Sequence, residues 1–494
     1  MNTSDNKAVF FKRRALKEVI AAFDRGELET AAFRIPFTVI PKESKSTVRC
    51  CIYKERAVFR ARTLAALGGS VEQDDEATSL NEYAKQALLR KDVPSTPLTV
   101  MDIACKGCVK ARHLVTEACQ GCLARPCQQA CRFGAISFED GHSKIDPEKC
   151  KNCGQCKEAC PYNAITYVPV PCEQSCPVNA IHKGENGFAE IDFDKCISCG
   201  HCMDACPFGA IMERSQLVDI LSTIKSGKKI CAMVAPSIVG QFDCTLPQLL
   251  TAIKKAGFTK ATEVALGADV TTAHEAAELI ERLERGDKFM TTSCCSAWIQ
   301  AVKKHLPALK PFVSSTLTPM AYTAEIEKKN GFATVFVGPC VSKRVEATEN
   351  ANVDYVMTYE ELGALLDAKN INPAECEETP LDPSISGESR YYGVTGGVAQ
   401  AVENALPGHP IKKMAINGLD KKAMLMLQAY ARGVGDFQLL EVMSCKGGCI
   451  GGPCTLKKQA QVIKPIKDLV AQSPKVKPAV LPESNPAEKK EESK

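Results

Sequence analysis

The chain has no stretch of 18 uninterrupted apolar residues, so nothing in it has the length and character that a bilayer-spanning helix demands. Its beginning, MNTSDNKAVFFKRRALKEV, carries charge but no apolar run of signal-peptide length, and a cytoplasmic location is expected. Charge of one sign is also missing. Lys and Arg number 62 against 58 Asp and Glu, a formal +4. A nucleic-acid or anionic-membrane surface concentrates positive charge, so neither partner is expected. What remains is 494 residues, 45% apolar, with material for a large core and roughly two to four domains.

Cysteine is in excess. There are 27, and no export signal to take them to an oxidising compartment. In a reducing one, that many thiols point to metal ligation rather than disulfides. Thiolates are soft ligands, suited to iron–sulfur clusters or zinc.

Composition divides the chain into four parts. Residues 1–100 hold a basic helical stretch (FFKRRALKEVIAAFDRGELET), a Pro-punctuated piece read as β-rich (FRIPFTVIPK), then RCCIYKERAVFRARTLAALGG. No spacing of known chemistry occurs there, its role is open, and Cys50 and Cys51 read as ordinary buried thiols. Residues 101–210 carry 16 cysteines among short segments and many breakers, a small α+β region. In residues 211–470, apolar strands such as KKICAMVAPSIV, KFMTTS, ATVFVGPC, SRYYGVTGG and FQLLEVMSC alternate with amphipathic helices such as TTAHEAAELIERLERG. That rhythm predicts an α/β domain with largely parallel strands and flanking helices. Residues 471–494 end in the Pro-, Lys- and Glu-rich KVKPAVLPESNPAEKKEESK, a composition of disorder.

Two runs have identical spacing. CKNCGQCKEACP (150–161) and CISCGHCMDACP (196–207) are both C-x2-C-x2-C-x3-C-P. This is the bacterial ferredoxin pattern, in which three close thiolates grip one cubane and the fourth reaches its neighbour. Zinc more often takes two separated pairs. A looser copy, CQGCLARPCQQACR, precedes the first run. Crossed ligation then assigns Cys119, Cys122, Cys127 and Cys160 to one cubane, and Cys150, Cys153, Cys156 and Cys131 to a second. Cys176 completes a third with Cys196, Cys199 and Cys202. Cys206 and Cys172 lack two ligands, and the unused CKGC pair, Cys105 and Cys108, makes up the number for a fourth. Three to four accessory [4Fe–4S] clusters are therefore expected, together forming an electron relay.

Five further cysteines fall in three blocks after predicted strands: TSCCSAW (Cys294, Cys295), GPCVSKRVE (Cys340) and VMSCKGGCIGG (Cys445, Cys449). Blocks that follow strand ends converge on one edge of a parallel sheet. Gly447, Gly448, Gly451 and Gly452 are expected to let backbone approach a bulky centre. Glu275, Glu278 and Arg282, at i, i+3 and i+7, share a helix face; read alone, that is a solvated charge face.

With these three blocks in this order, residues 228–470 resemble the [FeFe]-hydrogenases, enzymes that interconvert protons, electrons and dihydrogen by heterolytic cleavage. The resemblance implies an H-cluster: a cubane bridged through a cysteine to a two-iron unit with CO, cyanide and an azadithiolate. It implies that Cys295, Cys340, Cys445 and Cys449 hold the cubane, and that Cys449 is the shared thiolate. Cys294 matches the family's unligated thiol, which passes protons. Glu275, Ser314 and Glu278 match its proton path, a chain whose members accept and donate in turn. Lys343 matches the lysine that holds a cyanide. Ala235, Pro236, Ser237 and Met443 match positions packed on the two-iron unit, and Glu346 would hold its partner groups in place. Ferredoxin or flavodoxin as redox partner, and maturation enzymes that build the two-iron unit, are implied too.

The pattern also departs from that family. Ser296 stands where its best-known members have proline, Gly338 where they have methionine, and GGPC brings in Cys454 where they read GGGQP. The plant-type ferredoxin domain of many members is missing. These departures keep open a slow hydrogen sensor, although no signalling domain is evident, and the family's non-hydrogenase relatives in iron–sulfur assembly. A bare polyferredoxin does not account for the α/β domain.

Overall fold

Strand Ile230–Val234 is buried at all five residues, as a strand covered on both faces must be. In the computed structural model, which describes residues 6–44, 48–108 and 112–481, it lies inside a four-stranded sheet. The order is Lys260–Glu263, Ile230–Val234, Ala333–Gly338, Tyr355–Thr358, with every pair parallel. A second parallel sheet has three strands in the order Met290–Thr291, Leu439–Met443, Lys413–Asn417. Helices Leu246–Lys255, Ala265–Glu284 and Ser296–His305 connect them. The first has a capping box in which Thr245 and Gln248 satisfy each other's backbone N–H. The expected α/β class is what forms.

The cysteine-rich part is built from short antiparallel pairs: Arg112–Val115 with Ile165–Val168, Ile136–Glu139 with His142–Ile145, and Ile181–Lys183 with Ala189–Ile191. Gly154 and Gly200 occupy the same place in the two runs and both take φ +80°. A side chain on Gly200 would also meet Pro453, so this run packs directly on the α/β domain.

Several local expectations need correction. FRIPFTVIPK forms no strand: Ala32–Arg34 is a 3-10 turn and Ile35–Val39 a short helix with Pro36 in its first turn, where a missing N–H costs nothing. SRYYGVTGG is likewise not a strand, because helix Gly387–Arg390 and a turn lead into helix Gly397–Asn404. The expected boundary at residue 100 comes directly after strand Leu98–Val100, which pairs antiparallel with Ile211–Glu213 beyond the cysteine-rich part. Residues 7–24 form a helix whose Lys12 reaches two buried carboxylates, Glu213 at 2.6 Å and Glu360. The N-terminal helices and the four-stranded sheet share one apolar core.

The tail is seated further than expected. Gly387 N donates to Pro474 O at 2.8 Å, Ala479 N donates to Ala405 O at 2.8 Å, and Val476 and Leu481 pack on the domain. Residues 482–494, where the rest of the expected disorder falls, lie outside the described residues. Among the described residues no helix is long and apolar enough to cross a membrane.

Candidate active site

Four chemistry-bearing blocks follow the carboxyl ends of four parallel strands. Ala235–Ser237 follows Val234, Ser293–Ser296 follows Thr291, Cys340 follows Gly338, and Cys445–Cys449 follows Met443. Strand direction therefore brings segments more than 200 residues apart in sequence to one place. Burial raises the thiols of Cys340 (to about 11), Cys449 (to about 12), Cys295 and Cys445 above their ordinary value, and neighbouring thiols push Cys340, Cys445 and Cys449 further. Four thiols raised in this way ionise together only with cations among them, and iron would supply these on binding. The donor set thus fits a cubane. Among the described residues no three Cys, His, Asp or Glu side chains converge closely enough to share a single ion.

The glycines of the last block are also required by the protein around them. A Cβ on Gly448 (φ +85°) would lie 2.7 Å from Gly393 O and Thr395 N, and one on Gly452 2.9 Å from Pro339 O. They close the loop against neighbouring backbone.

Cys294 is half-buried beside Met443 and Cys295. Glu275, fully buried on helix Ala265–Glu284, accepts the Ser293 N–H at 3.1 Å and the Ser293 hydroxyl at 3.3 Å. Its Oε2 has no partner. Burial pushes the carboxyl up to about 7, and Ser293 and Ser314 partly oppose this. One turn later, Glu278 has the opposite environment. Burial opposes its charge, yet it accepts from the Ser314 hydroxyl (2.6 Å), Ser315 N (2.9 Å), the Ser315 hydroxyl (2.9 Å), the Thr316 hydroxyl (2.9 Å) and Arg282 (2.7 Å). Together these hold it down to about 2. The face that reads as solvated in sequence is therefore folded inward at Glu275. The two carboxyls have opposite shifts and both feel the Ser314 hydroxyl, which donates to Glu278 alone, and they run from buried Glu275 towards exposed Ser315.

On the other side of Cys294, Lys343 Nζ donates to Glu346 at 2.7 Å and to Cys294 O at 3.3 Å. Glu346 also accepts from the hydroxyls of Thr318 (2.5 Å) and Ser296. Ala235 N donates to Val337 O at 2.8 Å, Pro236 opens a 3-10 turn, and Ser237 shares a 2.8 Å hydrogen bond with Tyr359, whose hydroxyl feels Cys449.

The relay cysteines group by cavity. One cavity is lined by Cys131, Cys150, Cys153 and Cys156, a second by Cys119, Cys122, Cys127 and Cys160, and a third by Cys176, Cys196, Cys199 and Cys202. Cys172, Cys206, Cys105 and Cys108 are neighbours as well: Cys206 and Cys108 act on Cys172, and Cys105 and Cys206 on Cys108. The groups also lie near enough to influence one another, since Cys172 acts on Cys202, Cys340 on Cys199, and Cys199 on Cys445.

Cys50 and Cys51 are not the buried thiols expected. Cys50 is exposed, Cys51 is partly so, and their sulfurs are 3.8 Å apart. Cys231, Cys376 and Cys454 are buried among apolar side chains. A cavity of about 660 Å³ between Arg60, Asp74 and Phe188 is lined by none of the strand-end thiols. Two residues escaped the sequence reading. Ser293 could have been found from its place in TTSCC. Glu441, which accepts from Gly396 N (2.7 Å) and Ala399 N (2.8 Å) and acts on Cys294, gives no signal inside FQLLEVMSC.

Comparison with known proteins bears on this arrangement. Residues 228–453 match the family described as the iron-only hydrogenase large subunit, C-terminal domain. Residues 166–217 match an LdpA Fe–S cluster-binding domain and residues 143–166 a 4Fe–4S binding domain. Iron hydrogenase 1 of Clostridium pasteurianum is 30% identical over 384 residues, 64% of this chain and 65% of that protein, so the match spans just under two thirds of the relative. The periplasmic [Fe] hydrogenase large subunit of Nitratidesulfovibrio vulgaris is 29% identical over 374 residues, 63% of this chain and 85% of that one. Protein NAR1 of Arabidopsis thaliana is 24% identical over 328 residues, covering 50% and 69%.

Proposed function

The chain is an [FeFe]-hydrogenase-like iron–sulfur protein, and from that premise we propose that it catalyses the reversible interconversion of two protons and two electrons with dihydrogen. The observation that carries the proposal is the convergence of Cys295, Cys340, Cys445 and Cys449 at parallel strand ends, with Cys294 and the Glu275–Ser314–Glu278 series beside them. Those four thiols would hold the H-cluster, which supplies redox and Lewis-acid chemistry when bound.

The chain's own residues supply the traffic. Cys294 would exchange protons with the reacting centre. Glu275, held near neutral pH, can both accept and donate, which is what a relay member needs. Glu278 rests ionised and would take up a proton from solvent near Ser315 only in passing it on. Lys343 would hold a cyanide by a charge-assisted hydrogen bond. Electrons would pass through the accessory cubanes, entering the strand-end site from the Cys199 group, with ferredoxin or flavodoxin as partner. Maturation enzymes would build the two-iron unit.

The kinship with NAR1, whose name claims no hydrogenase activity, favours a second reading in which the clusters turn over no hydrogen. A slow sensor belongs with it. Hydrogen evolution from reduced viologen, by anaerobically purified protein loaded with the two-iron unit, tests both. Rapid evolution supports the enzyme. Infrared CO and cyanide bands without evolution would overturn it in favour of a sensor, and failure to load would favour the non-hydrogenase reading.

A further inference from the structure

Two positions distant in sequence meet at one ammonium. Ser296 opens helix Ser296–His305 and directs its hydroxyl onto the Glu346 carboxylate that also receives Lys343 Nζ. Thr318 Oγ1 takes the other carboxylate oxygen at 2.5 Å, so Glu346 is fixed from two sides and has little freedom to follow the lysine. Phe336 lies on the strand that leads to Cys340, and its ring centroid is 5.9 Å from Lys343 Nζ. That ring occupies the space a side chain at 338 would need: a Cβ built on Gly338 would run into the ring edge. Lys343 is 9% exposed, and its ammonium sits between an aromatic face on one side and a fixed carboxylate on another, which together restrict where it can lie.

We propose that Ser296 and Phe336 are positioning residues that together set where the Lys343 ammonium sits, Ser296 through Glu346 and Phe336 through its ring, with Gly338 required so that the ring can lie there. Neither touches the reacting atoms. Both act through Lys343, and the inference rests on the reading above that Lys343 faces a cyanide of the two-iron unit.

The test is infrared spectroscopy of anaerobic protein loaded with the two-iron unit, with iron content measured alongside. In Ser296→Ala and Phe336→Leu the cyanide bands should move more than the carbonyl bands at unchanged iron content. Ser296→Thr, which keeps the hydroxyl, and Phe336→Tyr, which keeps the ring, should restore the wild-type bands. Gly338→Met should move the cyanide bands in the same sense as Phe336→Leu, because the ring must leave. Cyanide bands that coincide with wild type in both Ser296→Ala and Phe336→Leu would overturn the proposal. Bands displaced equally by the conservative variants would also overturn it, since general disruption would then suffice. If loaded wild-type protein shows no such bands, the reading of the site itself fails, and the inference falls with it.

Discussion

Replacing Glu278 by Gln separates its two roles. The carboxylate is held at about 2 against an ordinary 4.5, and that difference corresponds to about 3 kcal/mol of preference for the ionised form in the fold. The sign is that of a depressed acid: the stabilisation is complete above pH 4.5 and is lost as pH falls through about 2. Gln keeps one acceptor oxygen but sets an NH₂ against donors from Ser314, Ser315 and Thr316, and leaves Arg282 only the more distant Asp287 carboxylate at 4.0 Å. A loss of about 2–4 kcal/mol in unfolding free energy at pH 7 is expected. The amide also cannot take up a proton, so hydrogen evolution should fall by about 100-fold or more. Viologen-driven evolution and denaturant unfolding, both anaerobic, measure the two effects, while the infrared bands should stay in place. Evolution at the wild-type rate in a destabilised Gln variant would refute the relay role and leave Glu278 as the anchor of loop 313–316.

Other outcomes follow from the same geometry. Cys294→Ser should retain iron and lose most turnover; full activity would remove the thiol from the proton path. Glu275, raised to about 7, has the opposite sign to Glu278. Its neutral form stabilises fully below pH 4.5, and that contribution fades as pH rises through about 7. Glu275→Gln should therefore lessen the loss of stability between pH 5 and 8 while slowing evolution, and an unchanged pH–stability profile would contradict the assignment. Lys12→Ala strands two buried carboxylates and should cost about 3–5 kcal/mol, read as a lowered unfolding midpoint; no change would mean water replaces the ammonium. Cys206→Ser and Cys105→Ser should each remove one cubane's iron and leave the H-cluster bands in place. Unchanged iron in both would eliminate the fourth cluster.

Cysteine spacing carries its own chemistry, because a cubane dictates how close its thiolates must be along the chain. The runs at 150–161 and 196–207 were therefore legible as local facts. So was the crossing of Cys131 and Cys176 into groups whose other members come 19 or more residues later, since the two-cluster pattern is a rule of the motif. The α/β class was legible too, from apolar strands alternating with amphipathic helices. Where the reading failed, the signal was short or two-sided. FRIPFTVIPK is apolar and Pro-broken enough for either a strand or a helical turn, and packing against the helix Ile52–Ala66 decides it.

Tertiary structure alone decided the rest. The i, i+3, i+7 pattern of Glu275, Glu278 and Arg282 does not say which carboxyl faces protein and which faces water; the loop 313–316 folding across the helix does. Glu441 lies within an apolar strand pattern, and only the helix N-terminus at Gly396–Ala399 makes its burial tolerable. Ser296 lies in one block, while Phe336, Gly338 and Lys343 lie on one strand and the turn after it, and no periodicity connects the two segments. Parallel strands ending on one edge bring them together, because sheet order, unlike ligand spacing, is a property of the whole chain's packing and not of any segment of it.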